Sequence, residues 1–421
     1  MIQLIRGFKD ILPGESERWQ YIERTAVELF HNFGYREIRI PIMERTELFA
    51  RSIGENTDIV EKEMYTFPDR KGQLLTLRPE ATASVVRSYI QHKLYARDPI
   101  QKVYVIGPMF RRERPQKGRY RQFYQIDAEV FGVAEPYVDA QLIHMLVTLC
   151  QRLDVPDVHV VINSLGCPRC RPGFREALAR MLAEVSGQLC SDCVRRSTRN
   201  PLRVLDCKVP ACQEAIGDAP AMVDYLCDDC RAHFAEVRDT LTRASIPHRV
   251  NPRLVRGLDY YTRTAFELQT GALGAQSAVC GGGRYDGLVK ALGGPDIPAI
   301  GFAIGFDRLV EIAGLNGRQF ADGPQLFIAP IGDAGRRQAC QWSLELGAAG
   351  VAVELEMTTR SLKSQMKRAH RMHAAHVLIV GDDELAKGAA VLRNMATKEQ
   401  SEIPIEDLVG NLRTRLAADK K

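Results

Sequence analysis

Three features of the sequence predict an α+β chain built in two parts. An apolar β-branched run, Val103–Ile106, and an alternating run, Gln122–Val130, flank a charged segment containing Pro115 and Gly118, the pattern of an antiparallel hairpin. Ser16–Phe33 places Trp19, Ile22, Ala26, Leu29 and Phe30 at helical spacing and stops at Gly34, so a helix packs on that β structure. From residue 325 onward strand-like and helix-like segments alternate, which implies a separate small α/β unit with a mostly parallel sheet.

Length and composition bound the function. A chain of 421 residues holds two or three domains, and 45% hydrophobic with 26% charged residues is ordinary for a globular protein. The net charge of +5 is compatible with a nucleic-acid partner without requiring one. No run of 18 apolar residues is present, and Asp10 and Glu15 interrupt the start MIQLIRGFKDILPGE, so neither a membrane helix nor a secretion signal is expected and the location is read as cytoplasmic. Eleven cysteines in such a chain argue for reduced thiols or bound metal rather than disulfides.

In chain order, Tyr35–Ile40 alternates as a strand closed by Pro41, and Glu44–Ile53 reads as a helix. Leu74–Leu77 is a short strand leading into Arg78-Pro-Glu-Ala-Thr82. There Glu80 and Thr82 either hold a substrate amine or simply open the helix Ala83–Tyr95, where a carboxylate favours the helix dipole. In the hairpin, Arg111, Arg112, Arg114, Lys117, Arg119 and Arg121 face a single acid, Glu113. Strand alternation puts Phe123, Gln125, Asp127 and Glu129 on one face. Guanidinium groups beside an aromatic ring suit a polyphosphate carrying a planar base, and an acid farther along the face suits a cationic or hydrogen-bond-donating ligand. The other reading is a solvated hairpin that binds nothing.

Val158–Ile162 is a strand leading to a cysteine-rich stretch. Cys167-x2-Cys170 and Cys190-x2-Cys193 stand 19 residues apart, the spacing of a four-thiolate zinc site, and Cys207, Cys212, Cys227 and Cys230 would form a second set. Buried, inert thiols are the alternative. Ala177–Val185 and His233–Ala244 are helix candidates in an inserted, mainly helical domain at about 164–250. The chain returns with Arg256 ahead of Gly257, then Tyr260 and Tyr261, one ring to each face of a strand Thr262–Leu268. Gly281–Leu288 reads as a glycine-rich turn, and Gly301–Gly305 as the start of a helix running to Val310. Gly314–Pro324 is a linker. Beyond it, the helix Ser361–Met372 carries Lys363, Lys367, Arg368 and Arg371, a basic face suited either to phosphates or to solvent.

Several strings together resemble one family. Phe110–Gly132, FRRERPQKGRYRQFYQIDAEVFG, resembles motif 2 of the class II aminoacyl-tRNA synthetases, and Gly34–Glu55 resembles motif 1, the dimer element. Leu254–Glu267, LVRGLDYYTRTAFE, resembles the signature of the histidyl-tRNA synthetase family, Ala299–Val310 resembles motif 3, and Arg6–Pro13 matches the family's opening. The resemblance spans essentially the whole chain in the right order. It implies a class II antiparallel sheet flanked by helices in a catalytic core of residues 1–320, interrupted by the insertion, and an anticodon-binding domain at 325–421.

The resemblance further implies a homodimer that activates L-histidine with ATP and Mg2+ and passes the histidyl group to the 3′ end of tRNA(His). Arg111 and Arg256 would hold the α-phosphate from two sides. Arg111, Glu113, Phe123 and Arg308 would bind ATP, with Phe123 and Arg308 sandwiching the adenine. Glu80, Thr82 and Gln125 would take the α-amino end of histidine, and Glu129 with Tyr261, beside Tyr260, would read its imidazole. Gln116 and Arg119 would meet the acceptor end of the tRNA, the insertion its acceptor stem, and Lys363 and Lys367 its anticodon arm. Arg112 and Tyr124 depart from the family pattern, where histidine is frequent. Two other classes compete. A synthetase-like regulatory subunit of ATP phosphoribosyltransferase keeps the fold but typically lacks the signature arginine and the C-terminal domain; this chain has Arg256 and residues 325–421. A zinc-dependent nucleic-acid-binding module would explain only the cysteines.

Overall fold

The structure is a computed structural model that describes residues 2–54, 57–116, 118–273, 278–315, 317–318, 320 and 323–418. Lys117 of the hairpin tip and parts of the 314–324 linker lie outside them. The chain divides into two compact units, Met1–Arg318 and Gln319–Lys421.

The first unit is organised by an eight-stranded sheet. Its order is Arg36–Glu37, Gln101–Phe110, Gln122–Phe131, Ala299–Gly305, Ala278–Arg284, Thr262–Thr270, Val158–Ser164, His248–Val250. The six inner strands pair antiparallel and the two short edge strands pair parallel. The helix Ser16–Asn32 buries Trp19, Ile22, Ala26, Leu29 and Phe30. Trp19 packs 4.4 Å from Phe306, and Phe30 lies 6.2 Å from Phe302, a side chain of the central strand. On the hairpin strand, Phe131 stacks on Tyr89 of the helix Thr82–Gln91, with ring centroids 4.2 Å apart. A small antiparallel sheet, Met43–Arg45, Leu74–Leu77 and Tyr65–Pro68, lies beside this core.

Several expectations need correction. The first hairpin strand does not stop at Ile106; it continues through Gly107 and Pro108 to Phe110. Gly107 is there because the Arg78 guanidinium lies where a Cβ would be. Tyr35–Ile40 shrinks to a two-residue strand, and the helix after it begins at Thr46 because Met43–Arg45 pairs with Leu75–Leu77. The helix expected over Ala83–Tyr95 breaks at Gln91 and resumes as Leu94–Arg97. The stretch read as a glycine turn, Gly281–Leu288, belongs to the strand Ala278–Arg284 in its first half and turns only at Asp286–Gly287, and Gly301–Gly305 is the end of a strand, with the helix Phe306–Ile312 beginning only after it. Glycine is poor in strands on propensity, but it is selected where another group must approach the backbone closely.

The insertion is helical, with Arg171–Glu184, Ser191–Arg199, Pro210–Ala215 and Asp228–Arg243 as its α-helices. It has its own core, in which Phe174, Leu178, Leu182, Val204, Ile216 and Met222 pack with the buried cysteines. Its last helix meets the sheet at a buried ion pair: Arg284, wholly buried, donates to Asp139 at 2.8 Å and to the carbonyls of Val133 and Glu135 at 3.0 and 2.8 Å, with His233 3.6 Å from Asp139.

The second unit carries a five-stranded sheet ordered Val353–Leu355, Leu326–Pro330, His376–Val380, Ala389–Asn394, Gln400–Pro404. The first three strands are parallel, as the alternating rhythm requires; the last two form an antiparallel hairpin that the sequence reading missed. Apolar clusters line both faces of this sheet. Lys363, Lys367 and Arg371 are exposed on the helix Leu362–Arg371. Arg368 is not part of that face: it is half-buried, pairs with Glu354 and Glu356, and lies over the Phe327 ring.

Candidate active site

The central strand Ala299–Gly305 explains why a cleft exists. Its alternation buries Ile300, Phe302 and Ile304 and leaves only the small residues Ala299, Gly301, Ala303 and Gly305 on the other face. In register, Gly301, Ala303 and Gly305 stand beside Glu129, Asp127 and Gln125 of the hairpin strand, while Ala303 also stands beside Gly281. Small residues flanked by functional side chains leave a hollow of about 240 Å³ with a polar rim. Two glycines are required by close approach: a Cβ at Gly301 would overlap the Glu129 carboxylate, and one at Gly281 would overlap the Arg256 guanidinium.

One end of the cleft is basic. Arg111, Arg119, Arg256 and Arg308 all line it, with Glu113 and Phe123. Arg111 is held by donation to the Pro79 carbonyl at 2.9 Å and sits 5.1 Å over the Phe123 ring. Arg119 donates to Glu113 at 2.9 Å. Arg308 donates to the carbonyls of Ala278 and Gly118 at 3.0 and 3.3 Å. Arg256 approaches from the far side of the sheet, with three strands between its neighbour Thr262–Thr270 and the strand leading to Arg111. It donates to Glu267 at 2.5 Å and lies over the Tyr261 ring. Its buried Nε has no partner among the described residues.

The other end is acidic and buried. Glu80, Gln125 and Asp127 line the cleft, and each has a buried oxygen without a hydrogen-bond partner. Buried polar atoms are ordinarily satisfied, so orphans converging on one hollow mark a ligand site. Glu80 does both things the sequence allowed: Oε1 accepts from the Ala83 amide at 3.0 Å, opening the helix, while Oε2 is left for the cleft. Burial raises the pKa of Glu80, and burial with the nearby charges of Glu129 and Glu80 raises Asp127 well above the carboxylate range. Glu129 is pushed up to about 8 by burial. A cationic guest would relieve these three acids together.

Of the predicted residues, Glu80, Thr82, Arg111, Glu113, Arg119, Phe123, Gln125, Arg256, Tyr260, Tyr261 and Arg308 line this one cleft. Glu129 sits just beneath it, accepting from Thr82 Oγ1 at 2.7 Å and from the Tyr285 hydroxyl. Tyr260 and Tyr261 do not split between two faces; they precede the strand, 4.7 Å apart, and both reach the cleft. Gln116 lies outside it, in a tight turn bonded to Arg119, and Lys363 and Lys367 belong to the second unit. Arg112 lies over the Tyr65 ring of the small sheet. Asp127 and Tyr285 were missed as site residues. Alternation already placed Asp127 on the right face, whereas nothing local marks Tyr285. The cysteine pairing expected from spacing is also wrong: Cys167 and Cys170 meet Cys227 and Cys230, and Cys190 and Cys193 meet Cys207 and Cys212. The chain doubles back through its helices, so the first pair meets the last, while the two pairs between them meet each other.

Comparison with known proteins agrees with this geometry. A family model described as histidyl-tRNA synthetase matches residues 7–309, and one described as anticodon binding domain matches residues 325–415. The chain is 61% identical over 408 residues to the histidine–tRNA ligase of Desulfatibacillum aliphaticivorans, covering 97% of each, and 60% identical over 418 residues to that of Desulfosudis oleivorans, covering 99% of each. The crystal structure of apo S. aureus histidyl-tRNA synthetase superposes with a TM-score of 0.82 at 37% identity, over 98% of this chain and 99% of that one. By sequence motifs, by full-length identity and by fold, the chain belongs to the histidyl-tRNA synthetase family.

Proposed function

We propose that this chain is a histidine–tRNA ligase whose chemistry takes place in the cleft between the hairpin and Arg256. The observation that carries the reading is the division of charge within one hollow, arginines at one end and buried acids with unpartnered oxygens at the other. That division fits a substrate pair that is anionic where it reacts and cationic where it is recognised.

The first step joins the histidine carboxylate to the α-phosphorus of ATP and expels pyrophosphate. Two anions must meet, so catalysis asks for alignment and positive charge rather than a nucleophilic side chain. Arg111 and Arg256 supply that charge from opposite sides, and Phe123 and Arg308 hold the adenine between a ring and a guanidinium. Glu80, Thr82 and Gln125 take the α-ammonium group. Tyr261 and Glu129, with Asp127 and Tyr285 beside them, read the imidazole, because buried partners reject a ligand lacking N–H groups far more strongly than an apolar wall does. Glu113, which lines the cleft beside Arg111 and Arg119, is the residue that would hold a nucleotide-bound Mg2+, and that ion would screen the charge of the leaving phosphates. The terminal ribose of tRNA(His) then takes the acyl group, with Gln116 and Arg119 near the acceptor end and Lys363 and Lys367 on the anticodon arm.

The active form is a homodimer in the cytoplasm. Ile42 and Met43 of the motif 1 segment, with Phe67 and Leu74 of the small sheet that segment joins, are large apolar side chains left exposed, a surface suited to a second copy. Cysteines free of disulfides suit a reducing compartment, and no helix among the described residues is long and apolar enough to cross a membrane.

The test is ATP–pyrophosphate exchange with each amino acid in turn, followed by charging of purified tRNA. Exchange stimulated by histidine, and charging of tRNA(His), are expected. Exchange that no amino acid stimulates, in a folded sample, would refute the reading and leave a non-catalytic regulator.

A further inference from the structure

We infer that the insertion holds two separate zinc ions, one on Cys167, Cys170, Cys227 and Cys230 and one on Cys190, Cys193, Cys207 and Cys212. Within each set the four sulfurs lie within 4.8 Å of one another. Among them, Cys167–Cys170 stand 3.6 Å apart, Cys167–Cys227 3.9 Å and Cys190–Cys207 4.0 Å. Four thiolates at a zinc–sulfur distance of about 2.3 Å in tetrahedral array stand about 3.8 Å apart, so the sulfurs already describe the tetrahedron of a single ion. They are too distant for a disulfide, which needs about 2.05 Å.

The surroundings are those of built metal knuckles. Amide groups donate to the sulfurs: Cys227 N to Cys170 Sγ at 3.1 Å, Cys190 N to Cys212 Sγ at 3.0 Å, and Val209 N to Cys207 Sγ at 3.5 Å. Such outer contacts orient thiolate ligands and temper their charge. Cys170, Cys190 and Cys227 each sit at the N-cap of a helix of nine residues or more, where the dipole favours a thiolate. The sites are nested in sequence: the outer set encloses the inner one, so each ion closes a loop that the small apolar core of the insertion would otherwise hold by itself.

The placement also gives the ions a task that rests on the proposed function. Arg171, next to Cys170, donates to the carbonyls of Leu165 and Tyr261. Arg203, between Cys193 and Cys207, donates to the Arg256 carbonyl at 3.2 Å. Arg171 and Arg203 are therefore positioning residues for the backbone that carries the signature arginine and tyrosine, and the knuckles hold them in place.

Metal analysis of the purified full-length chain tests the inference directly. Two equivalents of zinc per chain are expected; less than a tenth of an equivalent, or iron in place of zinc, overturns it. Cys230→Ser and Cys212→Ser should each retain one equivalent, and the double variant none. If Cys190→Ser emptied the site that contains Cys167, the pairing would be wrong. Should the variants fail to fold, the cobalt-substituted wild-type chain decides: intense thiolate-to-cobalt charge transfer with tetrahedral d–d bands for two ions per chain supports the sites, and their absence refutes them. Metal removal should abolish histidine-dependent pyrophosphate exchange, and added zinc should restore it; exchange at an unchanged rate in the metal-free chain would remove the positioning role. Metal content is read without any activity, so a failure of the ligase reading leaves that result intact.

Discussion

Glu129 shows what a single side chain does in this cleft. Burial lifts its pKa from 4.5 to about 8, while Thr82 and Tyr285 hold its two oxygens. A carboxylate whose folded pKa lies above its unfolded value retains its proton more tightly in the native state. Its contribution is therefore intact below pH 4.5 and is lost as pH rises through 8. The ligand-free protein should lose stability across that window by an amount on the order of a few kcal/mol, and Glu129→Gln should flatten the dependence; thermal melts at stepped pH measure it. Arg256 belongs to the same scale. Its guanidinium lies over Gly281 because no Cβ is there. Arg256→His should leave the fold intact and lower histidine-dependent pyrophosphate exchange by about 10²–10³-fold, the usual cost of one preorganised group that stabilises transition-state charge. Unchanged exchange would remove its assigned role.

At the scale of elements, two contacts between segments carry testable weight. The wholly buried Arg284 joins the glycine strand to Asp139 of the helix Tyr137–Arg152, beside His233 of the insertion's last helix. Burial, reinforced by the charges of Arg284 and Arg263, lowers the His233 pKa to about 3, so this imidazole stays neutral and Asp139 depends on the arginine. Arg284→Met leaves a buried carboxylate unpaired and should destabilise the first unit by about 3–5 kcal/mol, read as a fall in denaturant midpoint. In the second unit, Lys363 and Lys367 stand exposed on one helix while Arg368 is tied to Glu354 and Glu356. Replacing both lysines by glutamate should weaken tRNA charging and its salt dependence, with pyrophosphate exchange unchanged. The elements most legible in the sequence were those with one clear period. The helix Ser16–Asn32 and the hairpin strand Gln122–Phe131 fall within a residue of the reading. The glycine strand Ala278–Arg284 was misread because its reason for being a strand is not local: it lies in the tight approach of Arg256 and of Phe266 and Phe302 from neighbouring strands.

The whole molecule is two compact units, each with its own core. Histidine and ATP bind only the first in the proposed reading. Together at saturating concentration they should raise the melting transition of that unit and leave that of the second in place. Each ligand at a hundred times its dissociation constant adds about 2.7 kcal/mol; calorimetry resolves which transition moves. A ligand shift confined to the second unit would contradict the placement of the cleft.

The sequence by itself determined the family and the order of the motifs; alternation placed Phe123, Gln125, Asp127 and Glu129 on one face, and the family resemblance supplied most of the other predicted side chains that line the cleft. Only the tertiary structure decided which groups meet. It set Arg256 against Arg111 across three strands, put Tyr285 on Glu129, and exchanged the partners of the cysteine pairs. Such meetings depend on sheet order and on how helices double back, and neither is recorded in the spacing of neighbouring residues.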